Sequence, residues 1–397
     1  MDIYITGTGC ITPLGSNVAE NHHELVASRD GLVRSSFLDS KYASLKYFGE
    51  VKVSTPDLKT SLGMDDFSGL TRTDLLAIHA FREAVAQASL TDAEISSRDT
   101  AFISASTVGG MSMTDRLYEN ARLISTDPEF VHSYSNAAHT LRIARMYRMK
   151  GYTDTINTAC SSSANAIMLG MELIRAGKAK RAIVGGAESL ARFTVNGFNS
   201  LQILSDEKCI PFDAARDGLN LGEGAAYLVL EAEDVCRDKT HLAKIRGAGN
   251  TNDAFHASSM SDHAEGVTRC INDALADAGI LPVEIDYINA HGTGTPNNDK
   301  VESMGFLNVF GDKIPPFSST KSYTGHTLGA SGAIEAVYCV LSMIHRELYP
   351  NLRTSNPAPE IAASLVTEYR KNIPVKTVIS SSYGFGGNCT SLILSAV

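Results

Sequence analysis

The sequence predicts an α/β fold made of two similar halves, at residues 1–240 and 241–397. Short apolar runs typical of strands alternate with longer stretches typical of helices, which indicates layered α/β structure. The same succession of elements occurs twice along the chain. A repeat of about half the chain length indicates two related α/β units and not a solenoid of short repeats.

The first half opens with a strand that runs from Ile3 into the glycines up to Gly9. A helix over Phe81–Leu90 comes before a strand at Thr100–Ala105. Later, a strand at Thr153–Ile156 leads through a turn of small residues into a mostly apolar helix at Ala164–Ile174. The pattern of a strand, a turn and a buried helix is typical of layered α/β structure.

The second half repeats this order. A strand at Leu242–Gly249 opens it, a helix is predicted at Val267–Ile280, and a strand follows at Asp286–His291. The apolar stretch Ala333–Ile344 is short and contains Glu335. We therefore interpret this stretch as a buried helix and not as a membrane span.

Composition limits the classes of function. Hydrophobic residues make up 43% and charged residues 20% of the chain, which is ordinary for a globular protein in water. The net charge of −9 gives no support for nucleic-acid binding. Seven cysteines without close spacing argue against a disulfide scaffold and a zinc site, so we expect no metal. No basic segment precedes an apolar one at Met1, so we expect a cytoplasmic protein without a signal peptide.

Cys160 is the candidate nucleophile. It lies in the small-residue turn between the strand at Thr153–Ile156 and the helix at Ala164–Ile174. Unpaired N–H groups and the dipole at a helix N-terminus favour a thiolate, which is the nucleophilic form of cysteine. The alternative is a small core residue. We keep that interpretation for the other cysteines, which are Cys10, Cys209, Cys236, Cys270, Cys339 and Cys389.

Two of the eleven histidines differ from the rest because glycines and threonines surround them. His291 ends a strand and enters a glycine-rich loop, and His326 begins the helix that matches the one after Cys160. If a pseudo-twofold axis relates the halves, these three residues converge on one site. A thiolate with two imidazoles indicates thioester chemistry, in which the thiolate takes an acyl group and the imidazoles bind a second substrate.

Six motifs occur in a defined order along most of the chain. They are Thr158-Ala159-Cys160-Ser161-Ser162-Ser163, Pro211-Phe212-Asp213 with Arg216-Asp217-Gly218, Gly222-Glu223-Gly224-Ala225, His291-Gly292-Thr293-Gly294-Thr295, Lys321-Ser322-Tyr323-Thr324-Gly325-His326 and Gly384-Phe385-Gly386-Gly387. With these motifs the chain resembles the β-ketoacyl-acyl carrier protein synthases of the elongating, Cys-His-His type. The resemblance implies the thiolase-like fold, in which two pseudo-symmetric α/β halves form αβαβα layers.

The resemblance also implies a reaction. Cys160 would take an acyl chain from acyl carrier protein, and His291 and His326 would bind the malonyl thioester. Decarboxylating Claisen condensation would then give 3-oxoacyl-acyl carrier protein, in fatty acid or in polyene or polyketide-like biosynthesis. The N–H groups of Cys160 and Phe385 would form the oxyanion hole, Phe385 would gate the malonyl site, and Lys321 would orient His326. The enzyme would need no cofactor of its own, because the carrier brings 4′-phosphopantetheine.

Other positions match parts of the substrate path. Thr293 and Thr295 match residues that bind the pantetheine arm, and Val108 and Phe198 match residues that line the acyl pocket.

A set of acidic residues matches the structural support of the site. Asp299 and Glu302 are expected to hold Lys321 and the neighbouring loop. Glu335 lies near the position where some relatives hold a structural monovalent cation. The other residues near that position are Asn289, Ser380 and Ser381.

The partner implied by the resemblance is acyl carrier protein, which is acidic. Because this chain is also acidic, docking needs a local basic patch, for which Arg72 and Lys208 are candidates. Ile210 stands where many relatives have Arg, and Asn388-Cys389 stands where many have Thr-Asn or His-Asn. These departures raise the alternative of a specialised synthase.

Two assemblies and two other activities stay open at this point. A homodimer is expected first, and a heterodimer with a homologous chain-length-factor subunit second. A thiolase that acts on coenzyme A thioesters is a third interpretation, which the paired histidines and the missing second cysteine motif disfavour. A non-catalytic subunit is disfavoured because the chain keeps Cys160, His291 and His326.

Overall fold

The computed structural model of the chain describes residues 2–114, 116–118, 129–357, 359, 361 and 364–397. Its strands are β1 (Ile3–Ile11), β2 (Leu32–Arg34), β3 (Tyr47–Gly49), β4 (Thr100–Ala105), β5 (Thr153–Ile156), β6 (Arg181–Glu188), β7 (Gly224–Ala232), β8 (Ala243–Asn252), β9 (Tyr287–Asn289), β10 (Phe317–Ser318), β11 (Glu347–Leu348), β12 (Arg370–Lys371), β13 (Thr377–Tyr383) and β14 (Asn388–Ser395).

The α-helices of the described residues are α1 (Val18–Val26), α2 (Thr55–Ser61), α3 (Arg72–Gln87), α4 (Asp92–Ile95), α5 (Ala138–Met146), α6 (Ser162–Arg175), α7 (Arg192–Ser200), α8 (Glu265–Ala278), α9 (Pro296–Phe310), α10 (Lys321–Thr324) and α11 (Ser331–His345). Short 3₁₀ helices lie at Gly109–Met113, Val131–Ser133, Glu233–Val235, Pro282–Glu284 and Leu328–Ala330.

The strand order shows that the two halves are alike. From the centre outward, the first half has the order β1-β7-β6-β4-β5, and the second has β8-β14-β13-β9-β10. When only the five strands of each set are numbered along the chain, both sets have the order first, fifth, fourth, second, third. The central strands β1 and β8 pair antiparallel, with Tyr4 opposite Lys244 and Ile5 opposite Ala243. The predicted pseudo-symmetry is confirmed by this repeated order.

Helices complete five layers. On one outer face α3 packs against β1, β6 and β7, and on the other α8 packs against β8 and β14. The helices α6 and α11 contact each other and strands of both halves, so they form the middle layer. The fold is thus the layered αβαβα arrangement that was predicted.

The middle layer explains the most apolar stretch of the chain. A window over Leu328–His345 is long and apolar enough to cross a membrane, but 89% of it is buried inside the protein. The sequence of helix α11 is therefore apolar because protein packs against both of its sides, as predicted for a core helix.

Two of the helix boundaries that differ from the prediction have local explanations. The helix α3 begins at Arg72 and not near Phe81, because Thr71 and Asp74 form a capping box that starts it earlier. The helix α8 ends at Ala278, because Gly279 adopts a left-handed conformation with φ of 65°.

Candidate active site

Cys160 lies in a strained turn between β5 and α6. Ala159, the residue before it, has φ of 53°, which is unusual for a residue with a side chain. Strain of this kind persists when the surrounding structure fixes it, and it is common at functional sites. The side chain of Cys160 lines a cavity of about 380 Å³ that His291, His326 and Phe385 also line.

Burial dominates the electrostatics of this thiol. It raises the pKa of Cys160 to about 11. The positive charge of Lys321 and the backbone N–H groups of Phe385 and of Cys160 itself lower the pKa, but by less than burial raises it. The prediction that a thiolate is favoured is therefore wrong for the free protein, because desolvation of the charge outweighs the helix terminus.

The cysteine and the two histidines lie together. Sγ of Cys160 and one ring nitrogen of each of His291 and His326 lie within 4.8 Å of one another. The two imidazole rings are nearly perpendicular, with centroids 5.2 Å apart. Such a set could bind a soft metal, but the adjacent Lys321 ammonium disfavours a second cation there.

The hydrogen bonds of the histidines assign their tautomers. Nδ1 of His326 accepts from the N–H of Leu328 at 3.2 Å, so its proton is on Nε2, which is buried without a partner among the described residues. Nδ1 of His291 lies 3.2 Å from Nζ of Lys321, and an ammonium can only donate. Burial and the Lys321 charge lower the pKa of both histidines well below the usual value. Each is therefore a neutral imidazole with an Nε2–H donor.

The position of Lys321 differs from the prediction. This side chain is only 2% exposed, pairs with Glu335 and contacts His291, and no described hydrogen bond joins it to His326. The sheet explains the difference. Parallel pairing of β10 with β9 sets Ser318 opposite Asn289, so the residues that follow each strand, Lys321 and His291, lie side by side.

The acidic residues hold the backbone of the His291 loop. The carboxylate of Glu302 accepts from the N–H groups of His291 and Gly292, both at 2.7 Å. Asp299 accepts from Phe212 at 2.7 Å and from Gly294 at 3.2 Å. These carboxylates support the loop as expected. Holding Lys321 was also expected of them, but the structure gives that contact to Glu335.

Other predicted residues divide between the cavity wall and its surroundings. Thr293, Thr295, Phe198 and Phe385 line the cavity. The rings of Phe198 and Phe385 stack at 5.7 Å, and Phe385 is 36% exposed. Val108 is buried but does not line this cavity.

Glu188 is a candidate functional residue that the sequence analysis did not identify. Glu188, at the end of β6, accepts from the side chain of Ser106, from Thr107 and Val108, and from the N–H of Gly329. It therefore connects the loop after β4 to the segment after His326. A carboxylate at the end of a fully buried strand was the signal in the sequence that could have found it.

Arg72 is not available to bind a carrier. It forms a two-pronged ion pair with Glu223 and donates to the carbonyls of Val51 and Val53. Its side chain is only 13% exposed, so the prediction of a docking role for Arg72 is wrong. Lys208 is more accessible, with 31% of its side chain exposed, and pairs with Asp30 at 2.7 Å.

The residues near the expected cation position have unpaired oxygens. Oδ1 of Asn289 and Oε2 of Glu335 are buried without a hydrogen-bond partner among the described residues. Ser380 lies opposite Asn289 in the pairing of β13 with β9, and Ser381 is the next residue. Because hard cations prefer oxygen ligands, these residues fit a monovalent cation.

Comparison with known families agrees with this geometry. Residues 1–235 match the family described as "Beta-ketoacyl synthase, N-terminal domain", and residues 242–355 match "Beta-ketoacyl synthase, C-terminal domain". The chain therefore belongs to the β-ketoacyl synthase family, and it is an acyltransferase. The resemblance and the reaction class predicted from the motifs, condensation to a 3-oxoacyl product, are confirmed.

Individual relatives cover the whole chain. A "3-oxoacyl-[acyl-carrier-protein] synthase 2" from Coxiella burnetii is 32% identical over 100% of this chain and 98% of the relative. The solved structure "The ishigamide ketosynthase/chain length factor" has a TM-score of 0.92 and 30% identity, and covers 100% of this chain and 99% of its own. A ketosynthase, ApeO, in complex with its chain length factor from Xenorhabdus doucetiae has a TM-score of 0.85 and 32% identity, with 100% and 98% covered.

Proposed function

We propose that this enzyme joins an acyl chain held on Cys160 to the two-carbon unit of malonyl-acyl carrier protein, with loss of carbon dioxide. The observation that carries this proposal is the arrangement of His291 and His326. Two neutral N–H donors and one thiol face a single cavity. This set can bind a thioester carbonyl beside an acylated cysteine, which is what the condensation requires.

In the first step, Sγ of Cys160 attacks the thioester carbonyl of an acyl-carrier. The N–H groups of Cys160 and Phe385, which both lower the pKa of the Cys160 thiol, stabilise the oxyanion of the tetrahedral intermediate. The C–S bond to the carrier then breaks. The acyl group stays on Cys160, and the proton of the cysteine thiol ends on the thiol of the released carrier.

In the second step, the carbonyl oxygen of malonyl-carrier accepts from Nε2–H of His291 and of His326. Loss of carbon dioxide leaves an enolate whose charge these donors stabilise. Neutral imidazoles suit this role, because they donate without quenching the carbanion. The enolate carbon attacks the acyl-Cys160 carbonyl, the C–S bond breaks, and the Cys160 thiolate takes a proton from solvent. The product is 3-oxoacyl-carrier.

Lys321 and the acidic residues act behind the histidines. Lys321 donates to Nδ1 of His291 and so keeps the proton of that ring on Nε2. Asp299 and Glu302 fix the His291 loop through backbone bonds, and Glu335 neutralises Lys321. These are positioning roles, because none of the four lines the cavity.

The residues that line the cavity indicate how the substrate arm and the acyl chain are held. Thr293 and Thr295 bind the pantetheine arm, Phe198 lines the acyl pocket, and Phe385 gates the malonyl side. Val108, which the resemblance assigns to the acyl pocket, does not line this cavity. The carrier supplies 4′-phosphopantetheine, and the chemistry above needs no resident cofactor. A monovalent cation would be held by Asn289, Glu335, Ser380 and Ser381 and would have a structural role.

The assembly we propose is a homodimer that acts in the cytoplasm, with residues 1–240 and 241–397 as its two structural halves. The strand β5 ends the sheet, and only β4 pairs with it among the described residues. Its free edge can therefore pair with a second chain. A stable monomer in static light scattering at micromolar concentration would contradict the dimer.

A second candidate is the ketosynthase subunit of a heterodimer with a homologous chain-length-factor partner. Similarity to solved ketosynthase and chain length factor structures favours it. Since the reaction would be the same, the difference lies in the pathway and the partner. A protein that is weakly soluble alone, but soluble when co-expressed with a homologue lacking the cysteine, would support the heterodimer.

The proposed reaction is tested by supplying either malonyl-carrier or acetyl-CoA to enzyme that has first been incubated with acyl-carrier. We expect carbon dioxide and 3-oxoacyl-carrier from malonyl-carrier only. Condensation with acetyl-CoA at a comparable rate would instead identify a thiolase. Cys160→Gln should keep the release of carbon dioxide from malonyl-carrier while losing condensation, because an amide can occupy the place of the acyl thioester.

A further inference from the structure

We propose that Asn388 is a positioning residue that sets the two donors of the oxyanion hole at their working separation. The inference rests on the proposed function of Cys160. It concerns two segments, the nucleophile turn (Asn157–Ser161) and the gate loop (Gly384–Gly387). Asn388 is the first residue of β14 and directly follows the gate loop.

The two donors come from different halves of the chain. One is the N–H of Cys160 in the nucleophile turn, and the other is the N–H of Phe385 in the gate loop. Local backbone geometry therefore cannot fix the distance between them. The segments meet at Gly384, where an added Cβ would lie 2.6 Å from the carbonyl oxygen of Thr158 and 3.2 Å from the nitrogen of Cys160. This approach requires glycine, but it supplies only a van der Waals contact.

Asn388 is hydrogen-bonded to both segments. Its side-chain oxygen accepts from the amide of Asn165 at 2.9 Å and lies 2.6 Å from the hydroxyl of Ser161, which shares its one proton between Asn388 and the carbonyl of Thr158 at 2.7 Å. Ser161 directly follows Cys160. The backbone oxygen of Asn388 accepts from the N–H of Gly384 at 2.7 Å, which closes the gate loop.

A further contact fixes the orientation of the Asn388 amide. Its nitrogen donates to the side-chain oxygen of Asn250 at 3.3 Å, and the amide of Asn250 donates back at 3.2 Å. Asn250 lies in β8, near the centre of the sheet. The amide is thus held by a rigid strand while its oxygen holds the nucleophile turn.

The hydrogen-bond donors of the site form two pairs, which are the backbone N–H groups of Cys160 and Phe385 and the imidazole N–H groups of His291 and His326. Asn388 is hydrogen-bonded to Ser161 and Gly384, which are the chain neighbours of Cys160 and Phe385, and the N–H groups of these two residues serve acyl transfer. It has no described contact with His291 or His326, which serve decarboxylation. Loss of its side chain should slow acyl transfer selectively, whereas general loosening of the site would slow both reactions.

The test compares Asn388→Ala with Leu392→Val. Leu392 is a fully buried residue of the same strand, and its shortening perturbs packing without removing a hydrogen bond. Single-turnover acylation of Cys160 by acyl-carrier should fall about 10- to 100-fold in Asn388→Ala, which is less than complete loss of one donor. Release of carbon dioxide from malonyl-carrier should change less than about threefold, and Leu392→Val should leave both rates near wild type.

Two further measurements keep the test independent of folding and of the substrate. Ser161→Ala removes the same bond from its other end, so adding it to Asn388→Ala should cause little further loss. Alkylation of Cys160 by iodoacetamide needs no carrier, and it should be several-fold slower in Asn388→Ala at pH 8.5, because the thiolate loses an aligned donor.

Equal loss of acylation and decarboxylation in Asn388→Ala would overturn the inference, as would alkylation at the wild-type rate. If the wild-type enzyme is neither acylated nor releases carbon dioxide, the proposed function fails. Slower alkylation in Asn388→Ala would in that case still support the positioning of the thiol by Asn388.

Discussion

Lys321 should act chiefly through His291, to which it is hydrogen-bonded, because only its charge and no described hydrogen bond reaches His326. Its Nζ lies 3.2 Å from Nδ1 of His291 in a buried site. Hydrogen bonds that involve a charged group contribute about 1.5–3 kcal/mol, which corresponds to about 10- to 150-fold in rate. We therefore expect Lys321→Met to slow malonyl decarboxylation by this factor in wild type and in His326→Ala. In His291→Ala the same substitution should cost less than about threefold, because its target is gone.

The assay is carbon dioxide release from malonyl-carrier in a double-mutant cycle. Lys321→Met leaves Glu335 without its counter-ion, and breaking a buried pair costs about 3–5 kcal/mol of stability. Burial raises the pKa of Glu335 to about 7, so proton uptake reduces this cost, and circular dichroism checks that each variant is folded. A full loss in His291→Ala, or coupling to His326 alone, would refute the reasoning.

Three other predictions follow from the site. His326→Ala should suppress malonyl decarboxylation by about 10²–10³ while single-turnover acylation changes little, and an equal loss of acylation would mean that this histidine deprotonates the thiol. Because the pKa of Cys160 is raised to about 11, its alkylation rate should rise about tenfold per pH unit up to pH 10, and a plateau below pH 9 would contradict the burial argument. Lys208→Glu should raise the apparent KM for acyl-carrier at low salt and should raise it less at high salt, where charges are screened. Its counterpart Arg72→Glu should chiefly lower the urea midpoint of unfolding, because it leaves Glu223 buried beside a like charge.

The sequence predicted the fold well because the same pattern of elements occurs twice. Strands β4 and β5 have the predicted bounds, and the approach of Cys160, His291 and His326 followed from the expected pseudo-symmetry. The start of α3 was missed, because the capping box from Thr71 lies outside the apolar pattern used to define the helix.

The errors in the site have a common physical cause. Sequence distance suggested that Lys321 serves His326, five residues away, but parallel strand pairing places it beside His291. Arg72 was taken for a surface charge because its partner Glu223 is far away in sequence. The helix position of Cys160 indicated a thiolate. Burial raises the pKa of this thiol by more than its surroundings lower it, and the extent of that burial depends on both halves of the fold.

The most direct test of the central claim is the mass of the Cys160 peptide through one reaction cycle. After incubation with acyl-carrier, this peptide should gain the mass of the acyl group. Addition of malonyl-carrier should then remove that mass, with one carbon dioxide and one 3-oxoacyl-carrier formed per acyl group lost. An acyl group on another residue, or acylation that persists in Cys160→Ala, would contradict the account.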